Sequence, residues 1–270
     1  MNSVRKLFVL YTVVSAVCVI AVSLLLSTAS AQDATATPAP LPHWTYEGEE
    51  GPAHWGALDP RYAACGSGRA QSPIDIKGPL PVNLTDIGFN YTPSALAIFN
   101  NGHTIQVNYD QGSSITYNED VYQLVQFHFH HPSEHTLNGV PFAMELHLVH
   151  RDAAGNLAVV GVMLRQGSAT NDAYAAVFDH LPTTVSTAPG ASDLKINAAD
   201  LLPKDRLYTT YLGSLTTPPC TEGVRWLVLQ TPVDLSAAQI EAFGKLFESD
   251  ARPVQPLNNR DLLSDTTAGA

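Results

Sequence analysis

Positive charge is scarce in this chain: 14 Lys and Arg stand against 25 Asp and Glu over 270 residues, for a formal net charge of −11. Nucleic acids and anionic membranes are bound through clustered bases, so this balance speaks against both as partners. Helical periodicity is rare as well. Only Asn171 to Leu181, stopping before Pro182, and the capping-box stretch Ser236-Ala237-Ala238-Gln239 with Ile240, Phe243, Leu246 and Phe247 on one face read as helices. Neither carries a metal-ligand or nucleophile pattern. No internal repeat and no second shift of composition occurs, which leaves a single domain from about 43 to 265 and a short tail, 266–270.

Cysteine is sparse too, with three residues: Cys18, Cys65 and Cys220. Cys18 lies in an acid-free apolar run from Leu7 to Leu26 that follows Arg5 and Lys6 and precedes a small-x-small site at Ala29-Ser30-Ala31. Residues 1–31 therefore read as a signal peptide. The run is also close to membrane-spanning length, so an uncleaved anchor is the other reading. Either way the protein is exported, to a periplasm or beyond. The leader takes two bases and no acid with it. Cys65 and Cys220 then remain, and an even pair in an exported protein reads as a disulfide, with two unpaired thiols as the alternative. Such a bridge would close a loop of roughly 155 residues, worth about 4–5 kcal/mol if its effect is loop entropy. Residues 32–42 are rich in Ala, Thr and Pro without apolar period and read as a flexible linker.

The rest is β-patterned. Leu96-Ala97-Ile98-Phe99, Thr104 to Tyr109, Ser114 to Tyr117, Val121 to His130, Ala143 to His150, Leu157 to Arg165 and Leu227 to Gln230 are strand-like runs separated by Gly, Asn and Asp. Two of them carry chemistry. In Gln126-Phe127-His128-Phe129-His130 the period of two puts Gln126, His128 and His130 on one face and both Phe on the other. Glu145 and His147 share a face of the Ala143 to His150 run. If the two runs pair, three imidazoles converge with an amide and a carboxylate beside them. Three neutral imidazoles suit Zn²⁺ and leave an open position for water, whose pKa the metal lowers. Each ligand needs its other ring nitrogen held, and Gln126 and Glu145 are in phase to do so. His131, His135 and His150 are out of phase or in the turn and read as structural or solvent-facing. Taken alone, Asn101-Gly102-His103 is either a proton-carrying histidine or an exposed turn. The Ser214-Leu215-Thr216-Thr217-Pro218-Pro219 stretch alone is a turn with its backbone restricted by proline.

Five motifs taken together, in this order, resemble the α-class carbonic anhydrases: Gln71-Ser72-Pro73-Ile74, Asn101-Gly102-His103, Gln126 to His130, Glu145 to His150, and Gly213 to Pro219. The likeness runs from about Trp44 to Arg260. It implies a mainly β (α+β) fold, a single domain with a central ten-stranded, mostly antiparallel twisted sheet and a few short surface helices. It implies one Zn²⁺ per chain on His128, His130 and His147, with Gln126 and Glu145 behind them. Thr216 matches a hydroxyl that donates to Glu134 and orients the nucleophile. His103 matches the proton shuttle. Tyr46, Asn101 and Gln106 match positions along the water path. Val149, Val159, Leu215, Val224 and Trp226, with Thr216 and Thr217, match the substrate-binding wall. The Cys65–Cys220 pairing matches the disulfide of exported members. Gln106 and His131 depart from common family residues. The reaction implied is reversible hydration of CO2 to bicarbonate, with sulfonamides and anions as inhibitors; a homodimer stays open. A non-catalytic binding module on the same fold and a zinc-storage protein are the alternatives.

Overall fold

A computed structural model describes residues 40–190 and 192–267. The leader, most of the linker and the last three residues of the tail lie outside the described residues. From Leu41 onward the described chain makes up one compact unit.

Among the described residues eleven strands form one sheet. In chain order they are β1 (Leu80–Val82), β2 (Gly88–Asn90), β3 (Ala97–Asn100), β4 (Ile105–Asn108), β5 (Ser114–Tyr117), β6 (Asp120–His130), β7 (Met144–Arg151), β8 (Leu157–Gln166), β9 (Tyr208–Ser214), β10 (Glu222–Leu235) and β11 (Leu263–Asp265). Their spatial order is β1-β11-β9-β10-β8-β7-β6-β4-β3, with β5 also on β6 and β2 on β5. All pairs are antiparallel except β8 with β10 and β11 with β1. The sheet holds one strand more than expected because β6 is long. Its first half pairs with β5, through Gln123 to Asp120, and its second half pairs on the same side with β4, through His128 to Gln126.

The strand phase read from sequence holds. Phe127 and Phe129 are fully buried in the larger core, with Leu146, Leu148, Val160 and Val162 from the neighbouring strands. The opposite face carries the polar residues and a smaller apolar cluster that includes Val159, Val224 and Trp226. A third cluster, Trp55 and Tyr62, packs around the Cys65–Cys220 disulfide, which is formed as expected.

Among the described residues four short α-helices flank the sheet: α1 (Trp55–Leu58), α2 (Ala64–Ser67), α3 (Asp172–Phe178) and α4 (Ala237–Gly244). The capping box of α4 is present: Ser236 Oγ accepts from Gln239 N–H, and Gln239 Oε1 accepts from Ser236 N–H. Asn171 caps α3 through Ala173 N–H. Among the described residues no helix is long and apolar enough to cross a membrane.

Candidate metal centre

Register builds the site. On the antiparallel β6–β7 pair His147 lies directly opposite His128, Glu145 opposite His130 and Val149 opposite Gln126. Directly opposed residues share a face. The row through His128 therefore reads Gln106, His128, His147, Gly161, Val228 from β4 across to β10. The neighbouring row on that face reads Asn108, Gln126, Val149, Val159, Trp226, Tyr211. Thus the three imidazoles, their predicted supports and part of the predicted apolar wall are adjacent because of two-residue periodicity alone.

Each imidazole is held by one nitrogen. His128 Nδ1–H donates to Gln126 Oε1 at 2.8 Å. His130 Nδ1–H donates to the Asp250 carbonyl at 2.7 Å. His147 Nε2 lies 2.9 Å from Glu145 Oε1 but out of line for a good hydrogen bond, so that contact is chiefly electrostatic. The remaining nitrogens, Nε2 of His128 and His130 and Nδ1 of His147, are left for one point. The three side chains can present ligand atoms within 4.8 Å of one another. His130 Nε2 and Glu134 Oε2 are buried with no hydrogen-bond partner, a condition that polar groups in folded interiors rarely tolerate without an ion or water. This donor set and these orphaned atoms fit a zinc ion.

A second group, His135, Glu145 and His147, also brings ligand atoms together, but its donors are spoken for. His135 Nδ1–H and N–H donate to the two Glu145 oxygens at 2.8 Å each, and His135 Nε2 shares a hydrogen bond of 2.7 Å with the Tyr211 hydroxyl. The two groups share His147, the first at its Nδ1 and the second at the Nε2 that faces Glu145.

Electrostatics favour the neutral ring at two of the three imidazoles. Burial pushes His128 well below the usual imidazole range, reinforced by His130 and His147. Burial also lowers His147, against the pull of Glu145. In His130, burial acts downward, but Glu134 and Asp250 outweigh it and leave the ring raised. Burial would raise Glu145, yet His135 and His147 outweigh it and hold the carboxyl well below its usual range. Gly161 leaves room for that carboxylate, since a Cβ there would stand 3.0 Å from Glu145 Oε1. Glu145→Ala is expected to weaken metal retention by about 10- to 100-fold, because it frees the His147 ring. Competition with a chromogenic chelator measures this.

A cavity of about 120 Å³ leads from His128 and His130 past Thr217, Gln106 and Asn101 to His103, with Tyr46 and Trp44 on its side. Asn101 Oδ1 accepts from both His103 N–H and Thr104 N–H at 2.9 Å. Gly102 between them adopts φ +91°, which favours glycine. That turn aims His103. Its ring stacks on Trp44 with centroids 3.8 Å apart, and burial, then His43, lowers its pKa. Val159, Val224 and Trp226 are buried together, with Val149 and Leu215 packed against them, and Trp226 lies 4.8 Å from the His147 ring.

One expected contact differs. Thr216 is buried, but it does not bond Glu134. Glu134 Oε1 accepts from Arg252 N–H at 2.9 Å, and Oε2 instead faces the imidazoles, 3.5 Å from His130 Nε2 and 3.9 Å from His147 Nδ1. Oε2 thus faces lone-pair-bearing nitrogens with no hydrogen between them, an arrangement that a cation at the imidazoles relieves.

Three contributors carry no local sequence signal. Arg252 is 2% exposed and donates to Gln71 Oε1, Ser72 O and Cys65 O, tying the disulfide loop to Glu134. Asp250 holds His130 through its carbonyl and His131 N–H through Oδ1, and burial pushes its carboxyl up to about 7. His135, out of phase with the ligands, is the partner that keeps Glu145 ionised.

The family model for eukaryotic-type carbonic anhydrase matches residues 50–266. A carbonic anhydrase of Nostoc sp. is 45% identical over 226 residues, covering 81% of this chain and 84% of that protein. One from Klebsiella pneumoniae is 44% identical over 222 residues, covering 81% and 89%. The solved α-carbonic anhydrase of Thermovibrio ammonificans, in complex with the inhibitor sulfanilamide, superposes with a TM-score of 0.80 at 41% identity, covering 83% of this chain and all of that one. The chain belongs to the α-class carbonic anhydrase family.

Proposed function

We propose that this chain is an exported zinc enzyme that hydrates CO2 reversibly to bicarbonate and a proton. The observation that carries the reading is the set of three imidazoles, two hydrogen-bonded and one in ionic contact through the outer nitrogen, each leaving its inner nitrogen for one point. His128, His130 and His147 would hold Zn²⁺. The ion supplies Lewis acidity, lowering a coordinated water's pKa to about 7, the value familiar from carbonic anhydrases.

The chain's own residues do the rest. Gln126, the Asp250 carbonyl and Glu145 fix the ring orientations and the tautomer that leaves the inner nitrogen as the ligand atom. Buried Thr216 supplies the hydroxyl that would orient the nucleophile; Glu134 Oε2, which it does not bond here, stands unpartnered. The apolar side chains Val149, Val159, Leu215, Val224 and Trp226 receive CO2 and exclude water beside the imidazoles, with Thr217 at the cavity wall. Tyr46, Asn101 and Gln106 line the path along which His103 takes the product proton outward. The disulfide supports export to the periplasm or beyond, with 43–265 as the catalytic domain. Sulfonamides would bind at the same zinc. Storage of zinc is disfavoured because, of the two candidate groups among the described residues, one has its His135 and Glu145 donors already hydrogen-bonded.

Stopped-flow CO2 hydration by the exported chain, abolished by sulfanilamide, is the expected result; no hydration above buffer would refute the reading. His103→Ala is expected to slow turnover by about 10- to 100-fold in dilute buffer and to recover on adding imidazole. An unchanged rate in dilute buffer would remove His103 from the path.

A further inference from the structure

His103 stands between two cavities. It closes the outer end of the one reaching His128, and it also lines a wider one of about 440 Å³ that opens to solvent beside His43, Glu47 and Glu248. Among the described residues lining that outer cavity, His43 is the only side chain besides His103 whose type titrates near neutral pH. The two rings lie with centroids 6.0 Å apart, a gap that one water spans with two ordinary hydrogen bonds. On its far side His43 Nδ1 contacts Glu50 Oε2 at 3.1 Å. Trp44 covers one face of His103 and holds it at this outward end.

We infer that His43, backed by Glu50, is the outer station of the proton path, accepting the proton that His103 carries from the metal centre. This rests on the reading of His103 as the shuttle. The step moves a proton only: an N–H of the His103 imidazolium breaks, a bridging water passes the proton on, and the neutral His43 ring gains an N–H. His43 then protonates a buffer base or bulk water, and both rings return to their starting state. The two imidazoles oppose each other's charge, since His43 lowers the affinity of His103 for a proton after burial has already done so. One proton therefore moves along the pair at a time. Glu50 contacts His43, and Glu47 and Glu248 line the same cavity.

The test uses the zinc-loaded chain and its His43→Ala, His103→Ala and double variants. His43 is 68% exposed, so its removal leaves the fold in place. Exchange of ¹⁸O between CO2 and water reports CO2 interconversion and proton delivery as separate rates. The expected result for His43→Ala is interconversion unchanged and proton delivery reduced by about threefold, with no further loss when it is added to His103→Ala. NMR titration supplies a readout apart from activity: the His103 Cε1–H resonance titrates at higher pH in His43→Ala, because a like charge is gone. If His103→Ala slows proton delivery while His43→Ala does not, or if His103 titrates unchanged without His43, the inference is overturned. If His103→Ala itself has no effect, the shuttle reading fails instead.

Discussion

His147→Ala is expected to strip the chain of zinc and to lower CO2 hydration by about 10⁴-fold or more, the rate falling towards that of buffer alone. The size of the effect follows from position. His147 stands opposite His128 in the register and shares the face of His130, so its loss leaves two imidazoles that cannot close a three-nitrogen site. The fold is expected to survive. Glu145 keeps both hydrogen bonds from His135, so no buried carboxylate is stranded, and the vacated space lies beside Trp226. Zinc content by mass spectrometry, hydration by stopped flow and far-UV circular dichroism separate loss of metal from loss of structure. A folded His147→Ala chain with full zinc and full activity would end the assignment.

Removing the bridge, as Cys65→Ala with Cys220→Ala, is expected to cost about 4–5 kcal/mol of stability if loop entropy governs. The bridge joins residues 155 apart in sequence. It is also wired to the site. Cys220 N–H donates to Thr217 O, Gln71 Nε2 donates to Cys220 O, and Arg252 donates to Cys65 O. Cys220 itself adopts φ +55°, a conformation a non-glycine residue holds only when its surroundings impose it. Loosening this corner should let the Thr216–Thr217 turn wander, so activity falls along with stability. Urea unfolding with and without reductant reads the first effect and stopped flow the second. An unchanged unfolding midpoint, or two free thiols in the exported protein, would contradict this.

The legible part of the site was the part encoded by strand phase. Gln126, His128, His130, Glu145 and His147 follow from a period of two, and pairing between neighbouring strands supplies the rest. Asp250 and Arg252 escaped because their partners at the site lie more than a hundred residues earlier in sequence, in loops without periodicity. β9 escaped for a different reason: six of its seven residues are buried, so it lacks the polar alternation that marks a half-exposed strand. β1, β2 and β11 are three residues each, too short to show a pattern. The Thr216–Glu134 contact expected from resemblance is not made: Glu134 accepts from Arg252 N–H instead, a partner over a hundred residues away in sequence.

The central claim concerns which atoms bind zinc, and two overlapping groups offer themselves. Anomalous diffraction at the zinc edge from crystals of the zinc-loaded chain distinguishes them directly. One peak per chain is predicted, among Nε2 of His128, Nε2 of His130 and Nδ1 of His147. A peak among His135, Glu145 and His147, or none at either place, would contradict it.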